Sequence, residues 1–532
     1  METPASTDAP TTDPEASLAS RTVGPSVLWP GGGVDVRLCE DPPGYFRDLN
    51  LDQLVDAAAR ARQEQDLAVF FHTRLQDPAE VVYRQDVCRE LQRDRVRGPV
   101  DRFVEAMTRA RRYRRLSAGS RWPHEGQVWL LHAARTYVQA VMDLTADLEG
   151  VDLHADGLRA VRGYLIEHVA SQGFQRLEVD SRRALERLAA VQFRVHYLQP
   201  TVTVQPPDPD AGDFSERIAA LFDRFRQDAA ASDAPDRDRS DDPGLDHIEA
   251  QIVERVARLH PEVFADLARF ADRHADHANH TIDAFDRQVQ FYLAYLDLVA
   301  PLAASGLPLC YPEVAADDTA LDVRDTYDLA LAHEVAGQTM VLNDVTLQQL
   351  ERVIVVTGAN QGGKTTMARA IGQLHHLAAL GLPVPGRSAQ LVLCDRILTH
   401  FPRQERLGDL HGRLQDDMLR VRDLLDHAGP ASLVILNETF GSTTVADARA
   451  IGTEILQRLD GVGARCVYVT FIDELAHAVT DAVSLVATVD PDDPAVRTFQ
   501  LVRRPPDGRA HALAIARKHG LTYDQLQQQR PT

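Results

Sequence analysis

The chain has 532 residues, 44% of them hydrophobic, which is long for a single core and implies two or three domains. A formal net charge of −21 excludes a surface that coats nucleic acid everywhere, so any DNA contact has to be a local patch. The uncharged run from Leu298 to Pro312 contains three prolines and cannot span a bilayer, so no membrane partner is expected.

Residues 1–44 open with METPASTDAPTTDPEAS, which has neither a basic n-region nor an apolar core and so is no signal peptide. The stretch is rich in Pro, Ser, Thr and Asp, and most of it is expected to be disordered. Five cysteines lie far apart with no CxxC, the pattern of reduced thiols in a cytoplasmic protein. From about 45 to 330 the chain reads as helices: LDQLVDAAARARQEQ, PAEVVYRQDVCRELQ, 126–149, 156–173 and 243–305 carry apolar residues at helical spacing. Ile282, Phe285, Val289, Tyr292, Leu296 and Val299 form one stripe, the core side of a bundle helix. Between Leu91 and Arg121 stand ten Arg against three acids, which suits either a phosphate-contacting face or an ordinary solvated helix. Residues 201–246 break the helical pattern, with a strand-like TVTVQ and acidic linkers around a short amphipathic helix. His274, His277 and His280 with Asp276 have metal-like spacing, but on a helix i, i+3 and i+6 spread by about 240° and converge poorly.

From about 331 to 532, strands at 353–357, 390–395, 432–437, 466–470, 483–489 and 497–503 alternate with helices, the order of an α/β P-loop sheet. In VIVVTGANQGGKTT, Gly358, Ala359, Asn360, Gln361, Gly362, Gly363, Lys364 and Thr365 fit G-x-x-x-x-G-K-[ST] at every fixed position, with Thr366 next. Strand, Gly-rich loop and helix together make a phosphate cradle for ATP, because glycines let backbone N–H groups turn inward and helix N-terminal amides add positive potential. Lysine occurs only twice, at Lys364 and Lys518, so 55 of the 57 basic residues are Arg. A lysine kept at the loop supplies a compact charge between phosphate oxygens that a planar guanidinium does not. Thr365 offers a hydroxyl to Mg²⁺. Downstream, LVILNETF delivers Asn437 and Glu438 from the end of a buried strand. Glu438 is the candidate base that orients or deprotonates the attacking water, with Lys364 as the second catalytic residue. Asn437 is a weak Mg²⁺ position, since an amide accepts a bond from metal-bound water but brings no charge.

VLNDVTL (341–347), TGANQGGKTT (357–366), LNE followed by FGSTT (440–444), and HALAIARKHGL (511–521) resemble the ATPase of the MutS family of DNA mismatch repair proteins. DPAEVVYRQDVCREL (77–91) and FDRQVQFYLAYLDL (285–298) resemble that family's core and lever segments. The resemblance implies an all-α core and lever bundle followed by an ABC-type P-loop NTPase domain, with a clamp-like insertion near 200–246. It places Asn343 and Asp344 near the nucleotide and Thr443 near a partner subunit, and it implies DNA binding and a homodimer through the ATPase domain. With 13 acidic and five basic residues, 201–250 is poorly suited to gripping phosphates. Mismatch reading is not expected: about 44 residues precede the core, and Phe103-Val104-Glu105, which has the letters of the family's wedge, sits in a helical pattern. Asn437 stands where the family has Asp, Phe471 where it usually has a γ-phosphate-sensing His, and Leu414 about where a Ser caps the partner's nucleotide. These departures point to a slow or partner-dependent ATPase; the alternative is a nucleotide-gated DNA clamp with negligible turnover.

Overall fold

The computed structural model describes residues 24–32, 37–198, 201–205, 247–315, 321–348, 350–402, 413–493 and 496–506. The first 23 residues, nearly all of the clamp-like insertion and the segment 511–521 lie outside these. The chain divides into two compact units, one of residues 1–21, 27–89 and 287–532, the other of 22–26 and 90–286. The first unit thus takes in segments, 51–89 and 287–330, that read in sequence as part of the helical region.

The second unit is a helical bundle. Asp94–Gly119 and Pro123–Glu149 pack along one another, joined by Ser117 Oγ donating to Gly126 O at 2.7 Å, and Tyr113 stacks on Trp129 at 5.4 Å. Pro123 opens its helix where the missing N–H costs nothing. The helix expected over 156–173 stops at Ala170, because Ser171 turns the chain and caps Gln172–Ala189, its side chain accepting from Phe174 N. Similarly, 243–305 is not one helix but His247–Leu259, Pro261–Arg273 and His280–Ala304. Pro261, with no N–H to donate, begins a new helix after His260. The three histidines straddle the second break, and two of them have separate partners: His274 meets Asp180 at 2.9 Å, and His277 Nδ1 meets the His274 carbonyl at 3.0 Å. TVTVQ does form a strand, Thr201–Gln205, paired antiparallel with Arg194–Leu198. Phe103 is buried against Phe285, with ring centroids 5.6 Å apart, and is a core residue rather than a projecting wedge. In the Arg-rich stretch, Arg93, just before the helix, and Arg97, Arg102, Arg111 and Arg114 within it pair with Glu90, Asp101, Asp147, Asp286 and Asp283 respectively.

The first unit is built on a six-stranded sheet: β1 (Val353–Gly358), β2 (Ile397–His400), β3 (Leu433–Asn437), β4 (Arg465–Val469), β5 (Val483–Val489) and β6 (Arg497–Arg503), in the order β2-β3-β4-β1-β5-β6. All neighbours are parallel except β5 and β6. Continuous apolar runs such as VIVV and LVIL fit strands covered on both faces. The helices that follow β1 and β3, α1 (Lys364–Ala378) and α3 (Val445–Val462), and α2 (Arg413–His427) ahead of β3, supply cover. A four-stranded sheet joins Glu313–Ala315, Ser388–Val392, Leu321–Thr326 and Asn343–Leu347. The strand expected at 390–395 therefore belongs to this smaller sheet, and the edge of the large sheet is the short ILTH of β2, too brief to show a period. Part of the expected disordered tail is packed: Val27, Leu28 and Trp29 are buried, with Val27 N donating to Gln288 Oε1 at 3.0 Å and Tyr292 Oη donating to Val27 O at 2.7 Å. Among the described residues no helix is long and apolar enough to cross a membrane.

Candidate functional site

The site forms at the carboxyl ends of the parallel strands, where open α/β sheets place their ligands. Strand β1 ends at Gly358, whose φ of +106° and closeness to β5 admit only glycine; a Cβ there would lie 2.6 Å from Ala487 O. Gly362 is as confined, since its Cβ would stand 2.9 Å from Ala359 O. Gly363, at φ +91°, hands the chain to α1 and offers no side chain to cap it. The first amides of α1 therefore have no intrahelical acceptor and leave positive potential at the loop. Lys364 Nζ folds back under that loop, donating to Gly358 O at 3.0 Å, Ala359 O at 3.2 Å and Asn360 Oδ1 at 3.4 Å. Burial lowers its pKa, and the nearby Glu438 charge opposes the shift.

Three strand ends line up behind this loop. Asn437 pairs in register with Val469, and Val469 with Val356. Asn437 is buried, and its Oδ1 accepts from Thr365 Oγ1 at 2.9 Å. Glu438 N donates to Val469 O at 2.9 Å, and the residue adopts φ +46°, a left-handed conformation uncommon for a side-chain-bearing residue. Its side chain is exposed and forms part of the wall of a cavity of ≈ 370 Å³. Gln361, Gly363, Lys364, Thr365 and Thr366 line the same cavity, with Asn343 beside them. Tyr327, Leu331, Val335 and Met340 add apolar surface to the wall.

The residues named from sequence do not all face this space. Asn343 lines it but also bridges β6, its Nδ2 donating to Phe499 O at 3.1 Å and its Oδ1 accepting from Leu501 N at 2.7 Å. Asp344, the next residue on an alternating strand, is turned away to an ion pair with Arg324 at 3.2 Å. Ala359 is buried beneath the loop, and Asn360 O accepts from Arg497 Nε at 2.9 Å. Leu414 packs against the apolar cluster of the α/β core, so it sits where no hydroxyl is presented. Phe471 is 48% exposed just after β4, and Thr443 is half-buried near the start of α3.

Sequence reasoning missed the support behind the cavity. Gln373, fully buried on α1, donates to Leu49 O at 2.9 Å and Asp328 Oδ1 at 2.8 Å, while its Oε1 accepts from Leu329 N at 2.8 Å. Asp328 also caps the short helix Leu329–Glu334, and burial raises its carboxyl pKa. The available signal was a polar Gln373 ahead of two histidines in the otherwise apolar AIGQLHHLAAL.

Against known proteins, the model of MutS domain V matches residues 354–528. Over this stretch the chain is similar to the MutS family, as a divergent relative. It is 30% identical over 240 residues to the DNA mismatch repair protein MutS of Granulibacter bethesdensis, covering 44% of this chain and 25% of that protein. It is 29% identical over 238 residues to the endonuclease MutS2 of Gemmatimonas aurantiaca, covering 44% and 28%. With the Chlorobium phaeobacteroides MutS the identity is 26% over 291 residues, 53% of this chain and 32% of that one. The matched stretch thus spans between a quarter and a third of these MutS-family relatives.

Proposed function

We propose that this MutS-like protein binds and hydrolyses ATP with Mg²⁺ at the Gly358–Thr366 loop, and that its nucleotide state controls DNA binding. The observation that carries the reading is the convergence of Lys364, Thr365 and Glu438 on one cavity at the sheet's carboxyl edge. The donor set fits a nucleoside triphosphate: an ammonium, uncapped helix amides and glycines whose backbone admits close approach. Lys364 exchanges its carbonyl acceptors for β/γ-phosphate oxygens, a partnership the low-dielectric loop strengthens. Thr365 and Asn437 are the residues that would hold Mg²⁺, which supplies charge neutralisation at the phosphates when bound. Glu438, exposed at the cavity wall, orients the attacking water and takes its proton.

The second reading, a nucleotide-gated clamp with little turnover, is favoured by two observations. Asn437 brings no charge and already engages Thr365, and Phe471 offers no hydrogen bond where the family resemblance implies a histidine. Both readings predict that Lys364→Ala lowers ATP affinity by an order of magnitude or more, read in a fluorescent-nucleotide titration. Unchanged affinity would remove the site from this loop. Steady-state phosphate release separates the two readings. As a MutS-like chain it is proposed to be cytoplasmic and to dimerise through the ATPase domain near Thr443.

A further inference from the structure

We propose that His400 is a positioning residue for Glu438, acting through a buried Thr439–His400–Asp417 hydrogen-bond relay. The inference rests on the ATPase reading above. Three elements meet here: β2 ends on His400, α2 carries Asp417, and Thr439 follows Glu438 directly in the chain. Thr439 Oγ1 lies 3.3 Å from His400 Nδ1, and His400 Nε2 lies 3.1 Å from Asp417 Oδ1. His400 is 1% exposed, Thr439 6% and Asp417 7%, so water does not compete for these bonds.

The chemistry fixes the proton order. An ionised carboxylate only accepts, so Nε2 carries the hydrogen and donates to Asp417; Nδ1 is then the acceptor, and the Thr439 hydroxyl must donate to it. A neutral ring suits this order, and burial together with Arg420 lowers the His400 pKa, while Asp417 and Asp48 oppose. The surroundings are tied down in turn. Arg420 donates to Phe401 O at 3.3 Å, Thr399 Oγ1 donates to Asp48 Oδ2 at 2.6 Å, and Tyr468 from β4 meets the Thr439 side chain.

The need for such a tie follows from the backbone. Glu438 at φ +46° and Phe440 at φ +63° flank Thr439, and non-glycine residues persist in that region only when their surroundings over-determine them. Glu438 is exposed, and the peptide that bears it sets the Cα–Cβ direction from which its carboxylate extends. Phe440 anchors one side in the core at 1% exposure, and the Glu438 N–H is held by Val469 O. The Thr439 hydroxyl is the remaining handle, and the relay fastens it to β2 and α2. Threonine, histidine and aspartate in this order also describe an activated nucleophile, but Thr439 is buried and does not line the cavity.

The test compares phosphate release and ATP affinity in variants whose unfolding midpoints are measured alongside. Thr439→Val removes the hydroxyl at constant shape; His400→Gln keeps a group near Nε2 but none near Nδ1; His400→Asn does the reverse. The expectation is a loss of about tenfold in kcat for Thr439→Val and for His400→Gln, with ATP Kd within about twofold of wild type. His400→Asn should stay within about threefold of wild-type kcat, and the double variant Thr439→Val/His400→Gln should be no slower than either single. Wild-type turnover in both singles, multiplied losses in the double, a Kd that rises in step with the loss of kcat, or His400→Asn as slow as His400→Gln overturns the relay. A wild type that releases no phosphate refutes the ATPase reading itself and takes this inference with it.

Discussion

Glu438 and Asn437 are adjacent in sequence and opposite in setting. Asn437 is the last buried residue of its strand and accepts the Thr365 hydroxyl, whereas Glu438 leaves the sheet in a left-handed conformation with its carboxylate exposed. If Glu438 supplies the base, Glu438→Gln keeps ATP binding and lowers turnover by about 10²-fold or more. Intact turnover in that variant would defeat the assignment. Asn437→Asp preserves the acceptor for Thr365 and adds charge beside the metal position, so the Mg²⁺ concentration for half-maximal phosphate release should fall. The new carboxylate also repels Glu438, but Lys364, already close enough to feel the Glu438 charge, offsets part of that. A raised Mg²⁺ requirement would show that repulsion wins.

Among the elements, α1 carries both the loop's lysine and two fully buried histidines. His376 Nδ1 accepts from Tyr45 Oη at 3.1 Å, and Phe46 packs edge-on against the same ring at 5.1 Å. Burial, aided by Arg74, pushes the His376 pKa down to about 3, and burial with Arg465 does the same to His375. The folded pKa is therefore depressed below the ordinary 6.5. Between these values the unfolded chain binds the proton and the folded chain refuses it. The stabilisation is complete above about pH 6.5 and is lost as the pH falls towards about 3. His376→Asn keeps a group near Nδ1 to accept from Tyr45 and removes the titration. Urea unfolding between pH 6 and 4 should then lose up to about 1.4 kcal/mol per pH unit of its slope relative to wild type. An unchanged slope would mean the ring is hydrated or protonated in the folded state. The same helix shows how an element serves the site at a distance: Gln373 ties α1 to Leu49 and Asp328, fixing the helix whose first turn bears Lys364 and Thr365.

At the scale of the whole molecule, one expectation departs from the MutS resemblance and one carries over from it. Phe103 is core in its own bundle, so a G·T mismatch should not be preferred over matched duplex by more than a few-fold. A preference near a hundredfold, about 2.7 kcal/mol, would overturn this. A nucleotide-dependent dimer through the ATPase domain should appear in sedimentation with ATP and Mg²⁺, and Thr443→Arg should weaken it by adding a charge at the contact. Monomer alone at tens of micromolar protein would count against it. The ten arginines of Leu91–Arg121 bear on DNA binding in the same way. Five of them already pair with carboxylates of their own unit, and an occupied guanidinium has less to gain from a phosphate.

What the residues alone determined is local: a β-branched apolar run before GANQGGKTT gives strand, loop and helix because short-range sterics and glycine φ freedom act over a few residues. The helices of the bundle unit were legible for the same reason, through their apolar period, although Ser171 and Pro261 end them sooner than the period suggests. What only the tertiary structure decided depends on which segments meet. Asp344 turns to Arg324 instead of the cavity, the edge strand proves to be Ile397–His400, and SVLW, unremarkable inside a polar tail, is buried under Arg84, Gln288 and Tyr292. Gln373, His400 and Asp417 carry no motif, because a hydrogen bond between residues far apart in the chain leaves no periodic trace. The Gln373 contacts exist only once α1 meets Leu49 and Asp328, and those of His400 and Asp417 only once β2, α2 and the end of β3 come together.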